Sequence, residues 1–393
     1  MIETHALLPG EFSVRSPSSS RRLRICMPVV PHPERAFQCG LLEAQDVLGD
    51  SAEVDFVSLE PTKSFVLRRA LLRRLLDHDR TRKLAFVNPG LRPVRLRKEY
   101  DLLLLVCPSW GDLFNINAIH GWQDLCRTSV CWIDELWAHS VPKYRYCLPL
   151  LRVFDHVVLG FNGSTKPVSD AIGKSCHCVP GAVDALRFSP YPNPPKRPVD
   201  LYSIGRRREG IHRILVNFAR TKRLFYLFDT LQSGDSIVRS CREHRELYAS
   251  VAKRSTFFMV APAKFDLQAQ TGGQVEVPFR YYEGAAAGCV LIGQSLQCES
   301  FRRMFSWQNA VIEVQPNGSD IIEVLSWLLA EPDLVARISR TNAAEAMLRH
   351  DWVYRWKQIL TIAGLDAHPA MEDRVGRLRA LADLISARSP SMM

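Results

Sequence analysis

No apolar run in the chain approaches the length a bilayer requires. The stretch Leu102 to Cys107 falls far short of the ~20 residues of a membrane-spanning helix. There is no CxxC pair among the eleven cysteines. Cys176-His177-Cys178 is the one cluster, and it lacks a further ligand group at zinc spacing, so buried thiols on a short strand are the simpler reading. No apolar signal core follows Ser18–Ser20 and Arg21-Arg22, which makes the expectation a cytoplasmic chain with reduced thiols. No DxD pair stands at a convincing strand end, so neither a metal nor another cofactor is expected. The loop after the first strand is poor in glycine and rich in proline (Pro31, Pro33), which weakens any phosphate role there.

What is present fits a sizeable globular protein. The length of 393 residues suggests two to three domains, and 47% hydrophobic content suits large cores. A formal net charge of +10 points to anionic partners: nucleotide phosphates, an acidic membrane surface or nucleic acid.

The chain opens as strand (22–28), loop, helix (35–48) and strand (53–59), the order of a parallel α/β domain. Residues 64–78 follow with Leu67, Leu71, Leu72, Leu75 and Leu76 on one helical face and Arg68, Arg69, Arg73 and Arg74 on the other. Lys63, Arg80, Arg82 and Lys83 extend the charge, so 64–83 reads as a basic amphipathic segment. It suits either a surface helix with its leucines in the core or an element lying on an anionic membrane at the inner face. Its most basic part, 68–83, carries no base-stacking aromatic, which argues against nucleic acid. Asp101 to Cys107 is a strand buried on both faces. A helix near 117–127 leads to the strand 129–133, which ends in Asp134, Glu135, Trp137 and His139. Polar groups just past a buried strand are ligand candidates on that edge. A helix (142–153), a strand (156–160), a helix (167–174) and a strand (176–179) complete the first half.

Five prolines between 190 and 198 stiffen a linker over 181–199. The second half restarts with a strand at 200–205 and the turn Arg206-Arg207-Arg208, where guanidinium groups are placed to grip a diphosphate. Helix 209–220, a strand near 223–228, helix 241–253 and strand 255–260 come before the stretch from Gly272 to Gln294. That stretch reads as a polar loop opening a helix, then a strand at 289–292. Free N–H groups of Gly272, Gly273 and Gln274 would cradle phosphate at the helix start, and Glu283 would accept from ribose hydroxyls. The remainder is helical: helix 297–306, strand 310–314, helix 320–330, helices to about 364, and a last helix at 371–387.

Three stretches together resemble the group-1-like glycosyltransferases of GT-B fold, near the retaining family-4 type. Glu283 stands five residues before Gly288, as in that family's C-terminal signature, with Arg280 three residues earlier as in a related branch. Val179 to Pro190 resembles the "PxGVDxxRFxP" linker, and Asp200 to Arg206 the first strand of the second domain. The family's two glutamates have seven residues between them, whereas Glu276 and Glu283 have six. Glu276 takes the first role if the loop is one residue shorter, and Arg208 is the nearest substitute for a missing Lys.

The resemblance implies two Rossmann-like α/β domains facing each other across a cleft, with C-terminal helices. The expected limits are a flexible lead at 1–20, an acceptor-side domain at 21–185, a nucleotide-sugar domain at 186–365, and a helix and tail at 366–393. It implies a glycosyltransferase moving a sugar from a nucleotide-diphosphate sugar to a sugar or lipid-linked acceptor, retaining and metal-independent, in surface polysaccharide or glycolipid synthesis. Arg206, Glu276 and His139 are the expected catalytic residues. Gly272, Gly273, Gln274, Arg280, Glu283 and Arg208 are the expected donor-binding ones. Another GT-B enzyme, such as a sugar-nucleotide epimerase or phosphorylase, and a non-catalytic basic binding module are the alternatives.

Overall fold

The computed structural model describes residues 23–29, 35–75, 85–221, 224–230 and 237–387, with Arg73 and Leu75 described in backbone only. The expected lead at 1–20, the loop prolines Pro31 and Pro33, the basic segment beyond residue 75 up to residue 84 and the last six residues lie outside these.

The first half holds strands β1 (Arg24–Val29), β2 (Glu53–Ser58), β3 (Val94–Arg95), β4 (Tyr100–Cys107), β5 (Ile119–His120), β6 (Cys126–Ile133), β7 (His156–Leu159) and β8 (Cys176–Cys178). Its helices are α1 (Cys39–Ser51), α2 (Phe65–Leu75), α3 (Trp122–Leu125), α4 (Leu148–Arg152), α5 (Thr165–Ile172) and α6 (Ala185–Phe188). The second half holds β9 (Val199–Ser203), β10 (Tyr226–Phe228), β11 (Ser255–Met259), β12 (Val290–Gly293) and β13 (Ile312–Glu313). Around them stand α7 (Glu209–Thr221), α8 (Cys241–Lys253), α9 (Gln268–Thr271), α10 (Phe279–Ala286), α11 (Glu299–Met304) and α12 (Ile321–Ala330). Three helices close the chain: α13 (Pro332–Arg349), α14 (Trp352–Ile362) and α15 (Pro369–Ala387).

Two parallel sheets form, ordered β2-β1-β4-β6-β7-β8 and β10-β9-β11-β12-β13. The apolar runs seen in the sequence supply their central strands. Alternate residues of β4 go to opposite sides, with Leu102 and Leu104 in one core cluster and Leu103 and Leu105 in another, as period-2 geometry requires. The cluster holding Leu102 and Leu104 continues through α1, α14 and α15 into the second sheet, taking in Tyr202, Phe258 and Leu291. The two domains therefore share one core. Trp132 of β6 meets the Trp352 and Trp356 rings edge-on, with centroids 6.0 and 5.5 Å away, and the Trp356 Nε1–H donates to the Ala44 carbonyl of α1. The last helix crosses back to the first domain, where it packs on α1. Arg374 of α15 donates to Asp351 (2.8 Å, twice) and to Asp184 (2.6 Å).

Three local expectations are corrected. The helix expected at 117–127 is reduced to the four residues of α3 (Trp122–Leu125), preceded by a 3-10 helix over Trp110–Ala118, and β6 starts earlier, at Cys126. Ser109 and Asp112 form a capping box that starts this turn early. The linker is not wholly irregular, because Asp184 caps the short α6 by accepting from the Arg187 N–H. The apolar face of α2 is split: Phe65 and Leu72 are buried, while Leu67 and Leu71 are exposed.

Candidate functional site

The turn after β9 is held from two sides. Gly205, at φ +72°, places the chain in the left-handed region. Its N–H donates to Asp229 Oδ2 at 2.5 Å. From the other side Arg280 Nη1 donates to the carbonyls of Ile204 (2.6 Å) and Arg206 (2.9 Å). A Cβ on Gly205 would meet that guanidinium at 3.2 Å. Arg280 thus positions the turn that carries Arg206.

The cavity beside that turn is an open cleft of about 470 Å³, solvent-open space included, at the C-terminal ends of β9, β11, β12 and β13, where open α/β sheets bind ligands. Arg206, Arg207 and Arg208 all line it, with His212, Tyr226 and Gln294. Each guanidinium has a partner. Arg206 pairs with both oxygens of Asp266, at 3.0 and 2.8 Å. Arg207 donates to the Asp229 carbonyl (2.6 Å) and carboxylate (3.2 Å) and lies over the Phe228 ring. Arg208 donates to Gln294 Oε1 at 3.2 Å and lies 4.5 Å from the Phe265 ring centroid. Burial pulls the Arg208 pKa down, against the neighbouring Tyr281 and Asp266.

Three consecutive residues span this site. Asp266 holds Arg206 and Phe265 underlies Arg208. Lys264, at φ +47°, forms an ion pair with Glu135 of the first domain and sits over the Trp137 ring. Sequence reasoning missed this strap, along with Asp229, because a polar loop after a strand carries no periodic signal. Its place immediately past β11, on the ligand edge of the sheet, was the available clue.

The Gly272 loop behaves differently from expectation. Gly272, at φ +61°, ends helix α9 as its left-handed C-cap. Its N–H donates to Gln268, that of Gly273 to Thr271 Oγ1, and that of Gln274 to the Thr271 carbonyl. All three N–H groups are already used, so they do not form a phosphate cradle. The helix start expected there lies at Phe279 instead. The loop touches the first domain. Gln274 Oε1 accepts from the Ala138 N–H at 2.8 Å, and a Cβ on Gly272 would meet the His139 Cβ at 2.6 Å. Glu276 is buried, accepting from the Gly163 N–H (3.0 Å) and Gln274 Nε2 (2.7 Å). Burial raises its pKa, and those donors oppose the shift. Glu276 therefore holds the two domain edges together and stands apart from the residues that line the arginine cavity.

On the first domain's edge, His139 is exposed beside Gly272. Trp137 is buried, donates from Nε1 to Glu135 at 3.0 Å and tilts against Phe161. Asp134 has no side-chain hydrogen bond among the described residues, and burial, with Glu135 nearby, pushes its carboxyl up to about 7. Among the described residues no group of three His, Cys, Asp or Glu side chains is placed to hold a metal ion.

Glu283 is corrected most clearly. It is 3% exposed, accepting from Arg245 Nη1 and from the Tyr248 hydroxyl at 2.8 Å. Arg245 also donates to both oxygens of Glu43 on α1, at 2.8 and 2.9 Å. The carboxylate expected at the ribose is instead half of a buried seam between the domains.

Residues 237–361 match the family model described as glycosyl transferase-like. No curated protein matches the chain. Among solved structures, an alpha-glucosyltransferase bound to UDP and a 13-mer DNA with a central A:G mismatch superposes with a TM-score of 0.52 at 11% identity, covering 87% of this chain and 100% of that one. An alpha-glucosyltransferase with UDP-glucose and DNA containing an abasic site gives 0.51 at 10% identity, covering 87% and 99%. An Anabaena protein in complex with UDP-glucose gives 0.48 at 12% identity, covering 87% and 100%. The chain therefore has the GT-B fold, and its residues 237–361 are similar to the glycosyl transferase-like family.

Proposed function

We propose that the protein transfers a sugar from a nucleoside-diphosphate sugar to an acceptor hydroxyl. The observation that carries this reading is the cavity lined by Arg206, Arg207 and Arg208 at the C-terminal edge of the second sheet. Its floor, at Gly293 and Gln294, falls within the segment that matches the glycosyl transferase-like family. In solved GT-B structures of similar fold, UDP or UDP-glucose is bound.

The chemistry follows from charge. The bond from the anomeric carbon to the diphosphate oxygen breaks as the bond to the acceptor oxygen forms, and the diphosphate leaves with added negative charge. Arg206 and Arg208 stabilise that charge, and the Asp266 carboxylate gives up Arg206 as phosphate arrives. A guanidinium exchanges one bidentate anion for another without changing its geometry. Fixed cations in this position supply the stabilisation without a metal. Retention of configuration is the outcome the family resemblance implies, with the acceptor's proton passing to the departing diphosphate. His139, exposed on the facing edge, is the acceptor-side candidate. The acceptor is a sugar or lipid-linked hydroxyl, in the synthesis of a surface polysaccharide or glycolipid.

Calorimetry with a panel of nucleoside diphosphates tests the site. One nucleotide binding at micromolar Kd, and lost in Arg206→Ala at unchanged Tm, is the expected result. No binding by any nucleotide overturns the donor site. Mass analysis of the matching sugar nucleotide then separates transfer from its alternative: an epimerised donor with no transferred sugar would replace transferase by epimerase.

A further inference from the structure

The segment 63–98 contains twelve Lys and Arg against two Asp, a net charge of +10, which equals the net charge of the whole chain. The rest of the protein is balanced. Helix α2 lies in this segment, and its attachment fixes which side faces outward. Phe65 and Leu72 are buried, and Arg69 pairs with Asp112 at 3.1 Å. Two glycines let the helix approach closely: a Cβ on Gly90 would meet the Phe65 backbone at 3.0 Å, and one on Gly111 the Arg69 guanidinium at 2.5 Å. Phe65, Arg69 and Leu72 share one helical face, so Val66, Leu67, Ala70, Leu71 and Arg74 occupy the opposite one.

That opposite face is apolar and uncovered. Val66 is 78% exposed, Leu67 73% and Leu71 52%, and Phe86 and Val87 of the neighbouring segment are 51% and 42% exposed. Lys63, Arg68, Arg74, Arg95 and Arg97 are exposed with them. Leucines standing out among cations are placed to enter an acyl boundary while the cations meet anionic headgroups. A nucleic acid would use the cations and leave the leucines in water. Helix α2 follows the C-terminal end of β2, and its partner Asp112 follows that of β4. These are the same edge from which Ala138 meets the Gln274 loop.

We infer that the outer face of α2 with Phe86 and Val87 is a docking surface for an anionic lipid bilayer, beside the cleft. The inference does not depend on sugar transfer. The test is co-sedimentation of the full chain with vesicles of phosphatidylcholine, with and without about 30% phosphatidylglycerol to supply the negative surface potential. The expected result is binding to the anionic vesicles alone, weakened by salt. Binding falls at least tenfold in Leu67→Ser/Leu71→Ser and at least tenfold in Arg68→Glu/Arg74→Glu, with Tm unchanged because these side chains are exposed. Full binding by the Leu67→Ser/Leu71→Ser variant would overturn the bilayer assignment, as would failure of the native chain to sediment. Binding of duplex DNA with no vesicle binding would reassign the surface to nucleic acid. Because nucleotide calorimetry is read separately, loss of this surface and loss of the donor site are distinguishable.

Discussion

Arginine serves the two domains in opposite ways at two places. At the ligand edge, Arg206 is held by Asp266, whose side chain is 42% exposed. At the seam, Arg245 and its partners Glu43 and Glu283 are all within 5% of full burial. Burial raises the pKa of Glu43, opposed by Arg245, while the two carboxylates hold Arg245 above its ordinary value against the burial that lowers it. The distinction is replaceability. An ion pair open to water is worth little and can be traded for a ligand. One sealed from water cannot lose a member without leaving a charge uncompensated.

Breaking the seam should have the largest effect. Arg245→Leu leaves Glu283 buried with no cation and Glu43 with only the longer contact to Arg187, at 3.5 Å, and should cost about 3–5 kcal/mol of stability, read by chemical or thermal unfolding. A loss under 1 kcal/mol would show that the seam tolerates an unpaired charge and would erase the contrast. At the ligand edge the cost should appear in rate instead. Arg206→Ala should lower kcat by about 10²–10³ while unfolding stays as in the native chain. If stability fell and rate per folded molecule did not, Arg206 would belong with Arg245. A smaller effect in the opposite direction sharpens the comparison. Asp266→Asn removes a partly exposed competitor worth roughly 0.2–1 kcal/mol, so nucleoside diphosphate should bind about 1.4- to fivefold more tightly by calorimetry. Weaker binding would mean Asp266 supports the ligand and does not stand in for it.

Asp134 supplies a third case, a carboxyl with neither a buried cation nor an exposed one in hydrogen-bond contact. Its pKa is raised to about 7 by burial and by Glu135, against about 3.9 when unfolded. Between those values the native state holds a proton that the unfolded state has released. Its contribution to stability therefore falls as pH rises through that window and stays low above it. Asp134→Asn removes the slope. Its Tm should match the native chain near pH 4 and exceed it by a growing margin up to pH 7. Parallel curves across that range would mean the carboxyl ionises normally.

The strands were legible because burial on both faces forces continuous apolar runs, as in Leu102 to Cys107 and Val290 to Ile292. Arg206 was legible because a strand ending in Gly-Arg fixes both turn and position. The Gly272 loop was misread because glycine beside polar residues marks a helix end as well as a helix start, and only the hydrogen bonds of α9 separate the two. Glu283 was misread for a different reason. Its burial depends on Arg245 and Tyr248, 38 and 35 residues earlier, and on Glu43 beyond Arg245. No local pattern records a pair at that distance. Asp266 and Lys264 sit in an irregular loop, where neither composition nor period assigns direction.

The core that runs from Trp132 through Trp352 and Trp356 to Met371 and Ile385 bears on how the protein is made. The face of the first sheet carrying Trp132 is complete by residue 178, yet α14 and α15, which cover it together with α1, are synthesised only after the second sheet. On the ribosome the part of that face not covered by α1 waits while the whole second sheet is built. The first domain is thus early in sequence and late to be completed, and a chain stopped at residue 351 would leave the α14 and α15 side of its core open to water however well its own strands had paired.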